Sequence, residues 1–403
     1  MVSVNLIMER IKKLKVEILL WWCIGLLFFS LPLGTAPPML AAAITFVVWL
    51  FSKKALSVKD IFKQKWLWPV VLAILLPWIG LAYSPEKTLG LDYAMKTKYW
   101  VFTFIVAGLF VHSGRTDILI KSFISGIFIN ALAAIFQYAG FLQMIKKGHP
   151  GLGVVHTAAS AYIVIGLIMS AMYFGREKRI PWKAGWLIII TVLLFHLAIM
   201  NGRAGYISFI FAGPLIAGYM MRGVSVFKKG VACCILIIAL FFSPTVQNRI
   251  ENTINNIKNN REEIIKGDWI QNDMKKLPRF YIYDSAVRMI MEHPFTGVGT
   301  GGLKHYTASK GHAVVHPHNN LLYMGVSFGI TGIALCLWLF WNMLKTSWKY
   351  RDTQTGCFIM AIGLVIFIAG MFDTLIINSG TSILFCLGYG LLHQLGKEEH
   401  ANG

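Results

Sequence analysis

The chain has 403 residues, of which 56% are hydrophobic and only 14% charged, and its net charge is +20. Soluble domains carry about 25% charged residues, so a soluble class is excluded, and the recurrence of apolar runs near the roughly 20 residues that span a bilayer excludes a monotopic one. The basic residues sit in short loops between those runs, a pattern of topology signals that argues against a nucleic-acid-binding surface.

Taken in chain order, hydropathy predicts an all-α polytopic membrane protein of about twelve spans: residues 16–33, 38–52, 66–83, 99–112, 117–140, 153–174, 184–200, 205–221, 230–245, 319–344, 355–373 and 379–395. The first run follows a basic start but leads into Pro37-Pro38 and a second span, so it reads as a span and not as a cleavable signal peptide. Lys and Arg fall unequally on alternate loops, 22 on one set and 6 on the other. The rich set includes the N-terminus, the 53–65 loop, Lys228, Lys229 and Lys397. The positive-inside rule puts it, and both termini, in the cytoplasm. All six cysteines lie in apolar spans without a CxxC pattern, so neither a disulfide framework nor a cysteine metal site is expected.

The same alternation sends the polar segment 243–317 outside. The expected organisation is therefore spans one to nine over 1–245, a large outer loop over 246–318, and spans ten to twelve with a cytoplasmic tail over 319–403. Within the loop, Gln247–Lys266 and Arg279–Glu292 read as helices, and a turn with Gly297, Gly299, Gly301 and Gly302 follows. No Gly-Lys-Ser/Thr follows these glycines, so the turn is not a phosphate cradle of the ATPase type. Chemistry outside the cytoplasm cannot use ATP there and needs a substrate that arrives activated.

His318 stands in His316-Pro317-His318-Asn319-Asn320, where the loop meets the tenth span. A neutral imidazole, with a pKa of about 6.5, suits proton removal from a hydroxyl. Two other readings stand beside this one. Polar residues cost little at such a junction, and His305, His312, His316 and His318 cluster within 14 residues as metal ligands would, although His-x-His alone is a weak zinc signal. Arg203, in Asn201-Gly202-Arg203-Ala204-Gly205 between two spans, and Arg279, at the start of the second loop helix, could each grip phosphate oxygens bidentately. Arg203 reads equally well as a turn residue. Arg288 is nine positions after Arg279 and so on the opposite face of a continuous helix, which ranks it lower. His196, near the end of a span, reads as a packing histidine.

His318-Asn319, nine residues, then Gly329-Ile330-Thr331-Gly332 resembles the His-Asn-x9-Gly-x-x-Gly signature of O-antigen ligases. Arg279 to Gly299, through Ala286 and His293-Pro294-Phe295-x-Gly297-x-Gly299, is similar to the arginine-led stretch before the histidine in the O-antigen ligase and polymerase superfamily. Asn-Gly-Arg203-Ala-Gly resembles its upstream arginine. The resemblance implies an inner-membrane enzyme with its site on the periplasmic face. Such an enzyme moves a polysaccharide from undecaprenyl pyrophosphate to a sugar hydroxyl of lipid A–core. It implies His318 as general base, Arg203 and Arg279 as pyrophosphate ligands, and Asn319 and Arg288 as supporting residues. It also implies no metal or cofactor, no nucleic-acid partner, and inversion at the anomeric carbon. An O-antigen polymerase is the alternative within the superfamily. A lipid-linked sugar transporter is the alternative from another class, and it predicts ionisable residues deep in spans that are almost lacking here.

Overall fold

The computed structural model describes residues 2–52, 64–109, 113–145, 149–200, 202–221, 223–259, 278–308 and 313–402, and every regular element among them is a helix. They are α1 (Val2–Ser30), α2 (Ala36–Ser52), α3 (Leu67–Tyr83), α4 (Lys87–Ala94), α5 (Val101–Gly108), α6 (Ser113–Tyr138), α7 (His156–Arg176) and α8 (Ile180–Ile199). The chain continues with α9 (Arg203–Met220), α10 (Val226–Phe241), α11 (Pro244–Asn259), α12 (Pro278–Glu292), α13 (Leu303–Ala308), α14 (Asn320–Lys349), α15 (Gln354–Ala369) and α16 (Ser379–Asn402). Each apolar run coincides with a helical segment, as it must where lipid offers the backbone no hydrogen-bond partner. Among the described residues, five segments can cross a membrane by length and composition: Val16–Leu33, Arg115–Tyr138, His156–Arg176, Ile180–Ile199 and Asn320–Lys349. The shorter apolar helices α2, α3 and α15 accompany them. The protein is thus a multi-pass helical membrane protein.

Burial separates central from peripheral helices. In α7 89% of the apolar window is buried, against α6, α8, α9 and α15, whereas in α8 only 28% is. Ile188 and Trp182 of α8, like Trp22 of α1 and Leu40 of α2, present large apolar side chains outward. That is the expected dress of a lipid-facing surface.

Two details depart from the expected spans. The fourth is segmented: α4 passes through a 3-10 stretch, Met95–Trp100, into α5. The tenth, α14, is broken at Gly329, whose φ of 65° and ψ of −152° lie in a region open essentially to glycine alone. At the break the freed backbone is satisfied by the loop behind α12. Ile330 N–H donates to Pro294 O at 2.7 Å, and Val298 and Gly299 donate to Val326 and Ser327 carbonyls at 2.8 and 3.1 Å. A Cβ on Gly297 (φ 61°) would come within 2.4 Å of the Val326 carbonyl oxygen. The glycine-rich turn is therefore a packing clamp on a broken helix.

A mutation tests this clamp. Gly329→Ala forces a side chain into that conformation and within 2.3 Å of the Pro294 carbonyl oxygen. Strain of this kind costs on the order of 1–3 kcal/mol. The purified variant should melt several degrees below wild type, while Gly185→Ala, where a Cβ meets nothing within 4 Å, should not. Equal melting of all three proteins contradicts the clamp.

The 246–318 segment matches its expected helices in part. Arg279–Glu292 corresponds to α12, and α11 covers Gln247 to Asn259, while residues 260–266 lie outside the described residues. Sidedness is tested by single cysteines in a cysteine-free background. Impermeant reagent should label positions 260 and 310 and spare 59 and 229; Lys59, Asn260 and Lys310 also lie outside the described residues. Labelling at 229 overturns the orientation.

Candidate active site

The site is assembled where the start of α14 meets the turn 370–378 between α15 and α16. This turn is held from several sides. Asn320 N–H donates to Gly370 O at 2.6 Å, and its buried side-chain oxygen accepts from Ile376 N at 3.2 Å. Thr381 and Ser382 hydroxyls donate to the carbonyls of Leu375 and Ile376 at 2.5 and 2.6 Å, and Lys96 Nζ donates to Ile377 O at 2.6 Å. A turn with this many fixed partners positions its side chains within a narrow range.

The side chain so positioned is Asp373. Its Oδ1 lies 3.0 Å from Nδ1 of His318 and accepts from the Thr374 N–H at 2.9 Å. Its Oδ2 accepts from the Thr157 hydroxyl, on the first turn of α7, at 2.5 Å. Burial by itself would raise the Asp373 pKa, but the hydrogen bonds from His318, Thr157 and the Thr374 backbone together hold the carboxyl well below the usual carboxylate range. Asp373 is therefore an anion, and an ionised carboxylate only accepts. Nδ1 of His318 must then carry the ring proton, which leaves Nε2 with the lone pair.

His318 has a φ of 51°, the one positive φ at a non-glycine position among the described residues. Histidine tolerates the left-handed region better than most side chains but pays for it in strain. The residue is held there by the α14 cap that follows and by the Asp373 contact on its ring. Asn319 provides that cap: its side-chain oxygen accepts from Leu322 N at 3.0 Å while its amide donates to Met371 O at 3.1 Å. Asn319 thus ties the histidine to the Asp373 turn, and the ring nitrogen Nδ1 is held by Asp373 instead.

The two arginines enter differently. Arg279 opens the exposed end of α12, and its charge acts on Tyr283 one turn later. The Tyr283 hydroxyl also reaches the carbonyls of His318 and Met371 at 3.4 and 3.3 Å, so Arg279 stands beside the His318 turn. Burial raises the Tyr283 pKa, against the lowering effect of the Arg279 charge. Arg203 begins α9 and is half-buried. A Cβ on the neighbouring Gly202 would lie 3.4 Å from Ser160 Cβ and 3.8 Å from His156 O. The first turn of α7 therefore touches both the start of α9 and, through Thr157, Asp373. Arg288 is apart from this group, paired with Asp284 at 2.8 Å on the exposed face of α12.

His316, of the expected histidine cluster, also lies at the centre. Its ring centroid lies 4.4 Å from that of His318, and its Nδ1 is 3.3 Å from the Thr374 hydroxyl. Burial, then the His318 ring, lowers its pKa to about 4, so it is neutral at physiological pH. His196 is fully buried, with Nε2 3.4 Å from Pro150 O, which fits a packing role. Sequence reasoning missed Asp373, Thr157, Tyr283 and Lys96. Only Asp373 left a signal, as an acidic residue closing an apolar run.

A helical membrane protein with a carboxylate-held imidazole beside an arginine is the class that fold and site define. Residues 188–337 match the family model described as O-antigen ligase, a stretch that contains Arg203, Arg279 and His318. A protein of Rickettsia typhi named as a polysaccharide ligase is 25% identical over 285 residues, 66% of each chain. Its counterpart in Rickettsia prowazekii is 24% identical over the same extent, and the O-antigen ligase of Escherichia coli K12 is 22% identical over 305 residues, 70% of this chain and 68% of the relative. The two Rickettsia matches thus span just under two thirds of the relatives' length. Together these matches bear out the resemblance to the O-antigen ligase superfamily.

Proposed function

We propose that this protein is a glycosyltransferase of the bacterial inner membrane, with about twelve spans, both termini cytoplasmic and the 246–318 loop in the periplasm. It transfers O-antigen polysaccharide from undecaprenyl pyrophosphate to a sugar hydroxyl of lipid A–core. The observation that carries the reading is His318, held through Nδ1 by the Asp373 anion at 3.0 Å and flanked by Arg279 through Tyr283.

In this mechanism Nε2 of His318 takes the proton from the acceptor hydroxyl as its oxygen attacks the anomeric carbon, and the bond to pyrophosphate breaks on the opposite face. The product is inverted. Asp373 stabilises the imidazolium that forms. Arg279 and Arg203 neutralise the departing pyrophosphate, which then needs no general acid. The residues that act are all drawn from the chain itself.

Deleting the gene and examining lipopolysaccharide on a gel tests the assignment. Loss of the polysaccharide ladder with accumulation of lipid-linked polymer is expected, and complementation should restore it. A single-repeat band would identify a polymerase instead.

Arg279→Lys keeps the charge and loses the fork. A charge-assisted hydrogen bond contributes about 1.5–3 kcal/mol, so transfer should fall roughly 10- to 150-fold, and Arg203→Lys more mildly. Wild-type rates from the Arg279→Lys protein would mean that bulk charge suffices.

A further inference from the structure

We infer that His316, His318 and Asp373 form a binding site for a divalent transition ion of the zinc type, and that filling it switches the enzyme off. The inhibitory part rests on the proposed role of His318; the binding part does not.

One ligand atom from each of these three half-buried residues lies within 4.8 Å of the other two. Two imidazole nitrogens and one carboxylate oxygen, with a fourth position open, are a ligand set typical of zinc. Around a tetrahedral ion with bonds of about 2.0–2.1 Å, neighbouring ligand atoms sit roughly 3.3 Å apart. The His318 Nδ1 to Asp373 Oδ1 separation is already 3.0 Å, so the ion takes the place of the proton now shared there. The ring proton moves from Nδ1 to Nε2, since a ligating nitrogen must be unprotonated while the imidazole stays neutral. Only His316 has to move, by a turn of its ring from the 3.3 Å contact with Thr374. The Thr157 hydroxyl and the Thr374 N–H stay on the carboxylate and orient it, as the outer shell of a metal site does. Lys96, which acts on His316, and Arg279, which acts on Asp373's neighbour Tyr283, oppose a cation and weaken the site without removing ligands.

The consequence is a competition for one histidine. With Nδ1 on the ion, Nε2 carries the ring proton and has no lone pair to take the acceptor's proton, so His318 cannot act as a base. The metal inhibits, and chelation does not.

The test uses the full chain, purified and reconstituted in lipid nanodiscs, titrated with Zn²⁺ against a chromophoric chelator. Wild type should bind one more ion than His316→Ala, and the Asp373→Asn protein should lose the same site. In the transfer assay, Zn²⁺ at concentrations that fill this site should reduce the rate at least tenfold. His316→Ala should need at least tenfold more Zn²⁺ for the same loss, and EDTA should leave wild type active. Equal Zn²⁺ binding by wild type and His316→Ala overturns the site, and loss of transfer in EDTA overturns the inhibitory role. If the chain proves not to transfer glycans, the binding titration still decides the site.

Discussion

His318→Ala should abolish polysaccharide transfer in cells, while His316→Ala, two residues away, should retain most of it. Both rings lie at the same turn, 4.4 Å apart, so proximity does not separate them. Their partners do. His318 faces the Asp373 anion, which fixes the tautomer that leaves Nε2 basic, whereas His316 faces the neutral Thr374 hydroxyl and is pushed to a pKa of about 4. A base so weak is a poor match for proton transfer near neutral pH. Removing a general base costs roughly 10²–10⁴-fold, enough to erase the lipopolysaccharide ladder. Donor binding should survive in His318→Ala because both arginines remain, so a crosslinkable lipid pyrophosphate should still label it. Loss of activity in both variants, together with loss in wild type treated with a chelator, would make the histidines ligands of a required metal and refute the mechanism.

Asp373→Asn should be nearly as damaging, although it changes one atom. Every donor around this carboxyl points at an acceptor: His318 and the Thr374 N–H at Oδ1, the Thr157 hydroxyl at Oδ2. An amide has one acceptor oxygen and one NH₂ group. If the NH₂ faces His318, the ring must flip its proton to Nε2 and loses the lone pair that the reaction needs. If it faces Thr157, the hydroxyl can turn, but the charge that stabilises the imidazolium is gone. Either way a loss of roughly 10²–10⁴-fold is expected. The carboxyl lies below its ordinary range, so lowering the pH from 7 to 5 leaves it ionised. Orientation by Asp373 therefore persists through mild acid, and any acid-side fall in rate belongs to another group. Near-wild-type transfer by Asp373→Asn would show that the carboxylate merely fills space.

Much of the architecture was readable in advance because lipid imposes it. Long apolar runs have no choice but helix, and the amphipathic stretch Arg279–Glu292 emerges as α12 within one residue of its expected start. What escaped reading depends on the sign of a dihedral or on distant partners. Gly329 reads as part of a family signature inside a continuous span, yet it marks a break, since nothing in the residue type records a φ of 65°. Asp373 was absorbed into the end of an expected span over 355–373, while α15 stops at Ala369 and releases the carboxylate into a turn. Its partner is 55 positions earlier in the chain, beyond any local pattern. His318 and Arg279 were legible by chemistry and by resemblance to a family motif. How they are supported, through Asp373 and Tyr283, required the fold.

The most direct test of the central claim is transfer by the purified protein in nanodiscs. The assay supplies an undecaprenyl-pyrophosphate-linked polysaccharide and lipid A–core, with EDTA present throughout. The account predicts polysaccharide joined to lipid A–core by an inverted linkage, formed by wild type and lost in His318→Ala. Product formed at equal rates by both proteins, or a lengthened lipid-linked glycan with no modified lipid A–core, would contradict it.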